Sequence, residues 1–482
     1  MSLKSYLKGS MLSSADTSAL EKFRDVYPMP SEAVEMGEVS RQLYEGYRMV
    51  DQVPDELYTE LDVKRGLRNA DGSGVLVGLT TISNVHGYNK IDGRAVPDDG
   101  VLTLRGYDME TLVRGAQDDG RFGYEEIAYL LLTGALPNAD QLADFNARLG
   151  SRRHLPEGFI HVFPRTSASH SIMNILQRAT LLMYSFDKTP DDTSPVHEID
   201  VAITLLSRLP RVAAIAQAAI TAAENDEKLL IPPVEENYSM AESVLDVLRG
   251  NQGFTRDEAL LLDVMLMLHA EHGGGNNSTF SCRVLSSSGT DAYSAYSAAI
   301  GSLKGPKHGG ANFKVGEMIA NIEHNVRNWD DEEEIASYLA RILRREVFDH
   351  AGLIYGVGHA VYTKSDPRAQ IVKRYARNLA KQRGILDELE LIERVEHVAP
   401  EVMRDVRGIK KTISANIDMY TGFVYSMLGV PQEMYTPIFA IARTAGWAAH
   451  RMEELYGSGR IIRPAYGSRL TAREYAPLAS RS

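Results

Sequence analysis

The stretch ALLLDVMLMLHAEHGGGNNSTF, residues 259–280, decides the class of fold. Its first ten residues are apolar almost all round, which predicts a buried helix over Ala259–Leu268. His269 and His272 follow and run directly into three glycines, as expected where a helix ends at a cavity. A metal site at this histidine pair is disfavoured, because the order is not H-E-x-x-H and no cysteine lies nearby.

Helical patterns also dominate the rest of the chain. Only short alternating stretches at Val75–Ile82 and Val101–Leu104 favour strands, and they predict a small hairpin. No regular alternation of strands and helices occurs, so we predict an all-α fold. Further predicted helices are Tyr124–Leu132 closed by Gly134, Ala292–Leu303, one after the acidic run Asp330–Glu334, and one with Thr436 as N-cap, Pro437 at its first position and Gly457 after its end.

Composition narrows the class of partner. The chain has 482 residues and a formal net charge of −12, which argues against nucleic acid or an anionic membrane as a partner. The single cysteine, Cys282, rules out an internal disulfide and is predicted to be buried filler. No apolar run approaches the roughly 20 residues that span a bilayer. The early acidic residues also argue against a transit peptide, so we predict a cytoplasmic protein.

Three further motifs surround candidate catalytic residues. His308 lies in GPKHGGAN, His359 in GVGHAVYTKSDPRA and Asp418 in SANIDMYTG. Taken singly, the first histidine fits a structural turn and the aspartate fits a helix N-cap. The Gly356–Val361 segment lacks the third glycine of a nucleotide-binding loop, but its glycines allow close approach of the backbone to a bulky ligand.

Arginines are the natural partners of substrate carboxylates, because a planar guanidinium makes bidentate, charge-assisted hydrogen bonds. The candidates are Arg368 in SDPRA, Arg443 in IARTAGW and Arg463 in IIRP. Each alone fits an ordinary surface or ion-paired arginine equally well.

In order and spacing, the four histidine and aspartate motifs resemble those of the citrate synthase family. GPKHGGAN resembles its G-P-x-H-G-x-A-N element, GVGHAVYTKSDPRA its G-x-G-H-x-V-x-x-x-D-P-R signature, and HAEHGGGN its H-x-[DE]-H element. LRGYDMETL and IAYLLLTGALP are similar to the N-terminal half of that family. The resemblance runs from about Leu104 to Pro464 and leaves the first 70 residues without a predicted role.

The resemblance implies a Claisen condensation of acetyl-CoA with oxaloacetate, then thioester hydrolysis to citrate and CoA, as in the tricarboxylic acid cycle. Asp418 would remove the methyl proton, His308 would hydrogen-bond the thioester oxygen, and His359 would polarise the ketone. The remaining implied site residues are His272, Arg368, Arg443 and Arg463 for oxaloacetate, and Gly356, Val357, Gly358 and Lys364 for CoA. No metal and no cofactor is implied.

The resemblance also implies a two-domain fold in which a smaller helical domain closes over an interdomain cleft. The large domain would comprise residues 1–309 and 430–482, and the small domain residues 310–429. Because Arg463 would serve the neighbouring subunit, a homodimer with a shared active site is expected.

Three alternatives stay open from the sequence. A 2-methylcitrate synthase using propionyl-CoA differs by one methylene, which is worth only about 1–3 kcal/mol in a pocket. A non-catalytic CoA- or dicarboxylate-binding protein is the second, and a metal-dependent hydrolase is the third.

Two positions depart from the family pattern. Thr363 stands where many members carry a basic residue that reaches a CoA phosphate, a contact that Lys364 can supply instead. Gly273 replaces an acidic residue, so we expect lost hydrogen bonding there without lost activity.

Overall fold

A computed structural model of the protein describes residues 36–48, 53–92, 94–162, 171–227, 229, 231, 233–409, 411–457 and 459–481. The chain divides into two compact units, one of residues 77–462 and the other of residues 1–76 and 463–482. In the second unit the described helices are α1 (Met36–Arg48) and α2 (Asp55–Glu60), with short 3₁₀ turns at Arg65–Leu67 and Leu478–Ser480.

The unit of residues 77–462 is built almost entirely of helices. The prediction of an all-α fold is confirmed. Its helices are α3 (Met109–Asp118), α4 (Tyr124–Thr133), α5 (Ala139–Arg152), α6 (Glu157–Val162), α7 (Ile172–Tyr184), α8 (Pro195–Glu224), α9 (Met240–Arg249), α10 (Arg256–His269), α11 (Asn277–Ser286), α12 (Ala292–Leu303), α13 (Ala311–Asn325), α14 (Glu332–Leu343), α15 (Pro367–Arg383), α16 (Leu386–Arg407), α17 (Asp418–Met427) and α18 (Tyr435–Tyr456).

Helix α10 is buried on every face, as its sequence predicts. It begins at a capping box in which Thr255 and Glu258 each accept an N–H of the other residue. Between Leu261 and His269 every side chain is buried. Its one central acid, Asp263, accepts the N–H groups of Gly123 and Tyr124 at 2.7 and 3.1 Å and so caps helix α4.

The predicted hairpin exists but lies further along the chain. Strand β1 (Ser83–Ile91) pairs antiparallel with β2 (Arg94–Leu104), and the short β3 (Tyr107–Asp108) continues the sheet. The prediction of a strand over Val75–Ile82 is wrong. That stretch pairs with no strand of the described chain, and Leu76 and Leu79 are 81% and 86% exposed.

Several predicted helix ends are confirmed, and one is wrong. Ala292–Leu303 forms α12, and Gly134 ends α4 in the left-handed conformation. The helix predicted to begin at Thr436 starts at Tyr435, because a 3₁₀ turn over Gln432–Met434 leads straight into it. The Thr436 hydroxyl instead donates to the carbonyl of Gly309.

The division into residues 1–309 with 430–482 and residues 310–429 stays a prediction. Cys282 is fully buried on α11, and burial raises the pKa of its thiol to about 12, so it is inert filler as expected. In the part of the chain that the structure describes, no helix is both long and apolar enough to cross a membrane.

Candidate active site

Two of the predicted histidines meet directly. His272 follows the C-terminal end of α10, and its ring centre lies 5.1 Å from that of His359, with the planes at 87°. Tyr362 stacks on His359 with ring centres 4.7 Å apart, and its hydroxyl lies 3.2 Å from Nε2 of His272. Burial and the positive charge of Arg368 hold the pKa of His272 well below its ordinary value, so this imidazole is neutral.

The backbone fixes the tautomer of His359. Its Nδ1 accepts the N–H groups of Val361 and Tyr362, both at 3.0 Å. A nitrogen that accepts two N–H groups carries no proton, so the ring proton of the neutral imidazole sits on Nε2. Nε2 can therefore donate a hydrogen bond to a ligand oxygen.

His308 is held neutral in a similar way. Ser278, in the first turn of α11, donates its N–H to Nε2 of His308 at 3.4 Å. The Ser278 hydroxyl lies 3.2 Å from the same nitrogen and accepts Nε1–H of Trp447 at 3.3 Å. Burial and the positive charge of Arg443 lower the pKa of His308 to about 4. At neutral pH this imidazole is therefore neutral, and where Nε2 accepts the Ser278 N–H its proton lies on Nδ1.

Asp418 is the first residue of α17. Its backbone N–H donates to Oδ1 of Asn416 at 2.9 Å. Burial raises the pKa of the Asp418 carboxyl to about 6, against the opposing positive charge of Arg368. The group is thus mostly ionised at pH 7 and more basic than an ordinary aspartate, as a general base requires.

Arg368 is buried and oriented by its neighbour Asp366. The two side chains make bidentate hydrogen bonds, from Nε at 3.0 Å and from Nη2 at 2.7 Å. Asp366 also accepts the N–H of Ile417 at 3.2 Å. The Asp366 carboxylate therefore links Arg368, on the segment after His359, to Ile417, the residue before Asp418.

Arg443 is fully buried on α18, and its Nε donates to the carbonyl of His269 at 2.6 Å. Among the described residues, no acceptor lies within hydrogen-bond distance of Nη1 or Nη2. Burial lowers the pKa of its guanidinium to about 10, with the negative charge of Glu271 acting in the opposite direction. Such a group is suited to binding an anion that enters from outside.

The predicted CoA-binding glycines lie close to Asp418. Val357 forms a bridge with Ala415, and the Gly358 N–H donates to Ser414 at 2.8 Å. A Cβ on Gly356, which has φ of +79°, would lie 3.1 Å from Cα of Met419. Lys364 is exposed on the segment that follows.

Thr363 is a structural contact in this chain. Its hydroxyl bonds to the carbonyl oxygens of Gly87 and Asp98, on the two strands of the hairpin. A Cβ on Gly87 would lie only 2.6 Å from the carbonyl oxygen of Val361. The hairpin therefore packs directly against the segment that fixes His359.

Sequence reasoning missed a buried polar network behind His272. Oε1 of Glu271 accepts hydrogen bonds from the Ser83 hydroxyl at 2.8 Å, from Nε2 of His450 at 2.8 Å and from the N–H of Gly273. The bond to Gly273 comes from its backbone N–H, so the expected loss of side-chain hydrogen bonding at this position stays a prediction. Burial alone would raise the pKa of Glu271, but the contact with His450 and the positive charge of Arg443 lower this pKa to about 2.

Two further predictions stay untested. Arg463 belongs to the unit of residues 1–76 and 463–482, where it is exposed, and its role for a neighbouring subunit stays a prediction. Across the described ranges, no group of three or more His, Cys, Asp or Glu residues is placed to hold a metal ion. The absence of a bound metal likewise stays a prediction.

Comparison with known proteins assigns the family. The family model described as "Citrate synthase, C-terminal domain" matches residues 70–465. The "2-methylcitrate synthase 1" of Corynebacterium glutamicum is 32% identical over 430 residues, which cover 88% of this chain and all of the relative. The citrate synthase of Haloferax volcanii is 32% identical over 406 residues, 84% of this chain and 94% of the relative.

A solved structure agrees in fold. The citrate synthase of Thermoplasma acidophilum, in a ternary complex with carboxymethyl coenzyme A and oxaloacetate, superposes with a TM-score of 0.69 at 24% identity and covers 87% of this chain and 99% of that one.

The fold and the matches define an all-α enzyme of the transferase class. The chain belongs to the citrate synthase family, and the resemblance stated from its motifs is confirmed.

Proposed function

We propose that this protein condenses acetyl-CoA with oxaloacetate through Asp418, His308 and His359, and then hydrolyses the product to citrate and CoA. The observation that supports this most directly is the set of backbone N–H groups that donate to the two imidazoles. His359 accepts two backbone N–H groups on Nδ1 and His308 accepts one on Nε2, so the opposite nitrogen of each ring is placed to donate. Two imidazole donors together with a carboxylate of raised pKa suit proton removal next to a carbonyl.

The first step forms an enolate. The Asp418 carboxylate takes a methyl proton of acetyl-CoA, and the C–H electron pair moves towards the thioester oxygen, which accepts a hydrogen bond from Nδ1–H of His308. A pre-placed donor of this kind is worth about 10²–10³ in kcat. Neutral imidazole serves better than imidazolium, because its weaker acidity is closer to that of the enol.

The second step forms the carbon–carbon bond. Nε2–H of His359 polarises the ketone of oxaloacetate, and the enolate carbon attacks the ketone carbon. The resulting alkoxide takes up one proton, and Asp418 releases the methyl proton that it removed, so the protons balance and the carboxylate is restored. Water then attacks the thioester carbonyl of citryl-CoA, and CoA leaves as its thiol. Overall, one water is consumed for each citrate and CoA released.

Oxaloacetate carries two carboxylates, and the buried arginines provide for both. Arg443 has two terminal nitrogens without an acceptor among the described residues, and Arg368 is held in place by Asp366. His272 supplies a further polar contact next to His359. We place CoA against Gly356, Val357 and Gly358, with Lys364 near its phosphates.

The decisive experiment is citrate formation by purified protein, followed by thiol release, together with Asp418→Asn. We expect that variant to lose about 10²–10⁴ in kcat and to keep its oxaloacetate affinity in calorimetry. Asp387→Asn, an exposed acid in the first turn of α16, is the matched control and should change neither quantity. A parent protein that binds oxaloacetate without releasing thiol would identify a binding protein instead.

A second candidate is 2-methylcitrate synthesis from propionyl-CoA, favoured by the full-length match to "2-methylcitrate synthase 1". Measuring kcat/KM for both acyl-CoAs decides between them. We expect acetyl-CoA to be the better substrate, and a higher value for propionyl-CoA would reverse the assignment. A difference of about tenfold corresponds to 1.4 kcal/mol, within what one methylene can supply.

We also propose a cytoplasmic homodimer in which Arg463 completes the site of the partner. Mixing inactive Asp418→Asn and Arg463→Ala chains tests this directly. If sites are shared, each mixed dimer regains one intact site, so random mixing restores roughly one-quarter of parental activity. If each site is built within one chain, mixing restores none.

A further inference from the structure

A buried carboxylate outside the site binds two arginines. Glu258 is 3% exposed, and its two oxygens accept Nη1 and Nη2 of Arg249, both at 2.9 Å. Nη2 of Arg383 also donates to Oε1 of Glu258. We call Glu258, Arg249 and Arg383 the Glu258 cluster. Burial alone would raise the pKa of Glu258, but hydrogen bonds from Arg249 and Thr255 lower it to about 2, so the cluster is charged at neutral pH.

Both arginines of the cluster also bind the carbonyl end of α17. Nη2 of Arg249 donates to the carbonyl of Leu428, and Nη1 of Arg383 donates to that of Met427. The last carbonyls of a helix have no partner within the helix, and cations next to them are favourable. The helix whose first residue is Asp418 is therefore held at its other end by the Glu258 cluster.

Three helices lead from this cluster to the candidate active site. Helix α10 carries Glu258 in its first turn and ends three residues before His272. Helix α15 carries Arg368 at its start and Arg383 at its end, and α17 runs from Asp418 to Met427. At 1.5 Å per residue, the cluster lies about 14–23 Å from the site along these helices.

We infer that Glu258, Arg249 and Arg383 are positioning residues that fix the helix carrying Asp418 for removal of the methyl proton. This inference rests on the proposed function. A base displaced by about 1 Å can lose about 10² in rate, so a contact one helix length away is sufficient to matter. In the domain division predicted from the sequence, Arg249 and Glu258 belong to the large domain and Arg383 to the small one. The cluster thus joins elements of both predicted domains.

The test compares Arg383→Met with Arg377→Met. Arg377 lies on the same helix, but its ion pairs are with Glu390 and Glu393 of α16. We expect Arg383→Met to lower kcat about tenfold and to slow the exchange of acetyl-CoA methyl hydrogens with solvent by the same factor. The dissociation constant of oxaloacetate should stay within twofold of that of the parent. Arg377→Met should leave all three within twofold. Arg383→Lys should recover part of the loss, because an ammonium group can still donate to a carbonyl.

Three results would overturn the inference. They are an unchanged kcat in folded Arg383→Met, equal losses in both variants, or a loss of oxaloacetate affinity as large as the loss of kcat. If Arg383→Met does not fold, Glu258→Gln must show the same split between kcat and affinity, and failure to do so overturns the inference as well.

One readout does not depend on activity. Amide hydrogen exchange in Asp418–Met427 should be faster in Arg383→Met than in Arg377→Met. An inactive parent protein would refute the proposed function, whereas equal exchange in both variants would refute the inference about the cluster.

Discussion

Replacing Arg443 with methionine should stabilise the free protein while it abolishes tight substrate binding. The guanidinium is fully buried and has one hydrogen bond, from Nε to His269, among the described residues. Burial lowers its pKa from the ordinary value of an arginine to about 10. That change corresponds to about 3 kcal/mol of destabilisation, at 1.36 kcal/mol per pH unit.

The sign follows from linkage. A base whose pKa falls on folding destabilises the folded state wherever the unfolded chain holds the proton, so the full cost applies at all pH values below about 10. Methionine is of similar length and uncharged, and loss of the hydrogen bond to His269 offsets about 1 kcal/mol. We therefore expect the free energy of unfolding of the unliganded variant to rise by about 2 kcal/mol.

Substrate binding should change in the opposite direction. Removing one partner of a buried, hydrogen-bonded charge pair costs about 2–5 kcal/mol. The dissociation constant of oxaloacetate should therefore rise by about 30-fold to several thousand-fold. The assay is thermal unfolding with and without oxaloacetate, together with calorimetric titration.

Arg451→Met provides the matched control on the same helix. Arg451 is equally buried but makes a bidentate ion pair with Glu198, at 2.7 and 2.6 Å. Its loss leaves a buried unpaired carboxylate, so this variant should be destabilised by about 3–5 kcal/mol. If Arg443→Met unfolds at a lower temperature than the parent, or binds oxaloacetate as tightly, the reasoning about Arg443 is wrong.

Three further predictions concern other parts of the site. The pKa of about 6 at Asp418 predicts that kcat/KM falls tenfold per pH unit below about pH 6, and a limb near pH 4 would point to His308 instead. In chemical denaturation, the free energy of unfolding of Glu271→Gln should be about 3 kcal/mol lower than that of the parent at pH 7 and equal to it near pH 2. The reason is that a carboxyl with a pKa of about 2 instead of 4.5 stabilises the fold above pH 4.5 and loses that contribution as the pH falls. Gly87→Ala should lower activity and thermal stability, since its Cβ would lie 2.6 Å from a backbone oxygen of the His359 segment; Gly78→Ala, with no described atom within 4 Å of its Cβ, should leave both unchanged.

Local pattern was sufficient to predict much of the fold. Apolar residues all round α10 predicted a buried helix, and the ends of α12 follow from its Ala-rich body. The errors arose where neighbours decide the outcome. Val75–Ile82 alternates like a strand, but the second strand of the hairpin ends at Leu104, which pairs with Ser83. The described residues before Ser83 therefore have no partner in the second strand. Thr436 has the chemistry of an N-cap, but the preceding 3₁₀ turn had already started the helix.

The candidate site was predictable as a set of residues but not as a set of protonation states. The motifs supplied His272, His308, His359 and Asp418 as site residues, and their catalytic and binding roles stay predictions. Which imidazole nitrogen holds the proton depends on N–H groups of Ser278, Val361 and Tyr362, whose directions only the fold determines. The bond between Glu271 and His450 spans 179 residues, and no local signal pointed to it.

The hydroxyl of Thr363 limits which residues position 363 can hold. Because its single O–H is shared between carbonyl oxygens on both strands of the hairpin, exchange for a basic residue would remove the hydrogen bonding to both strands at once. The close approach of Gly87 leaves no room for compensation by a larger side chain there. A basic residue at position 363 would therefore require coordinated substitutions in two distant segments of the chain, the hairpin and the segment after His359.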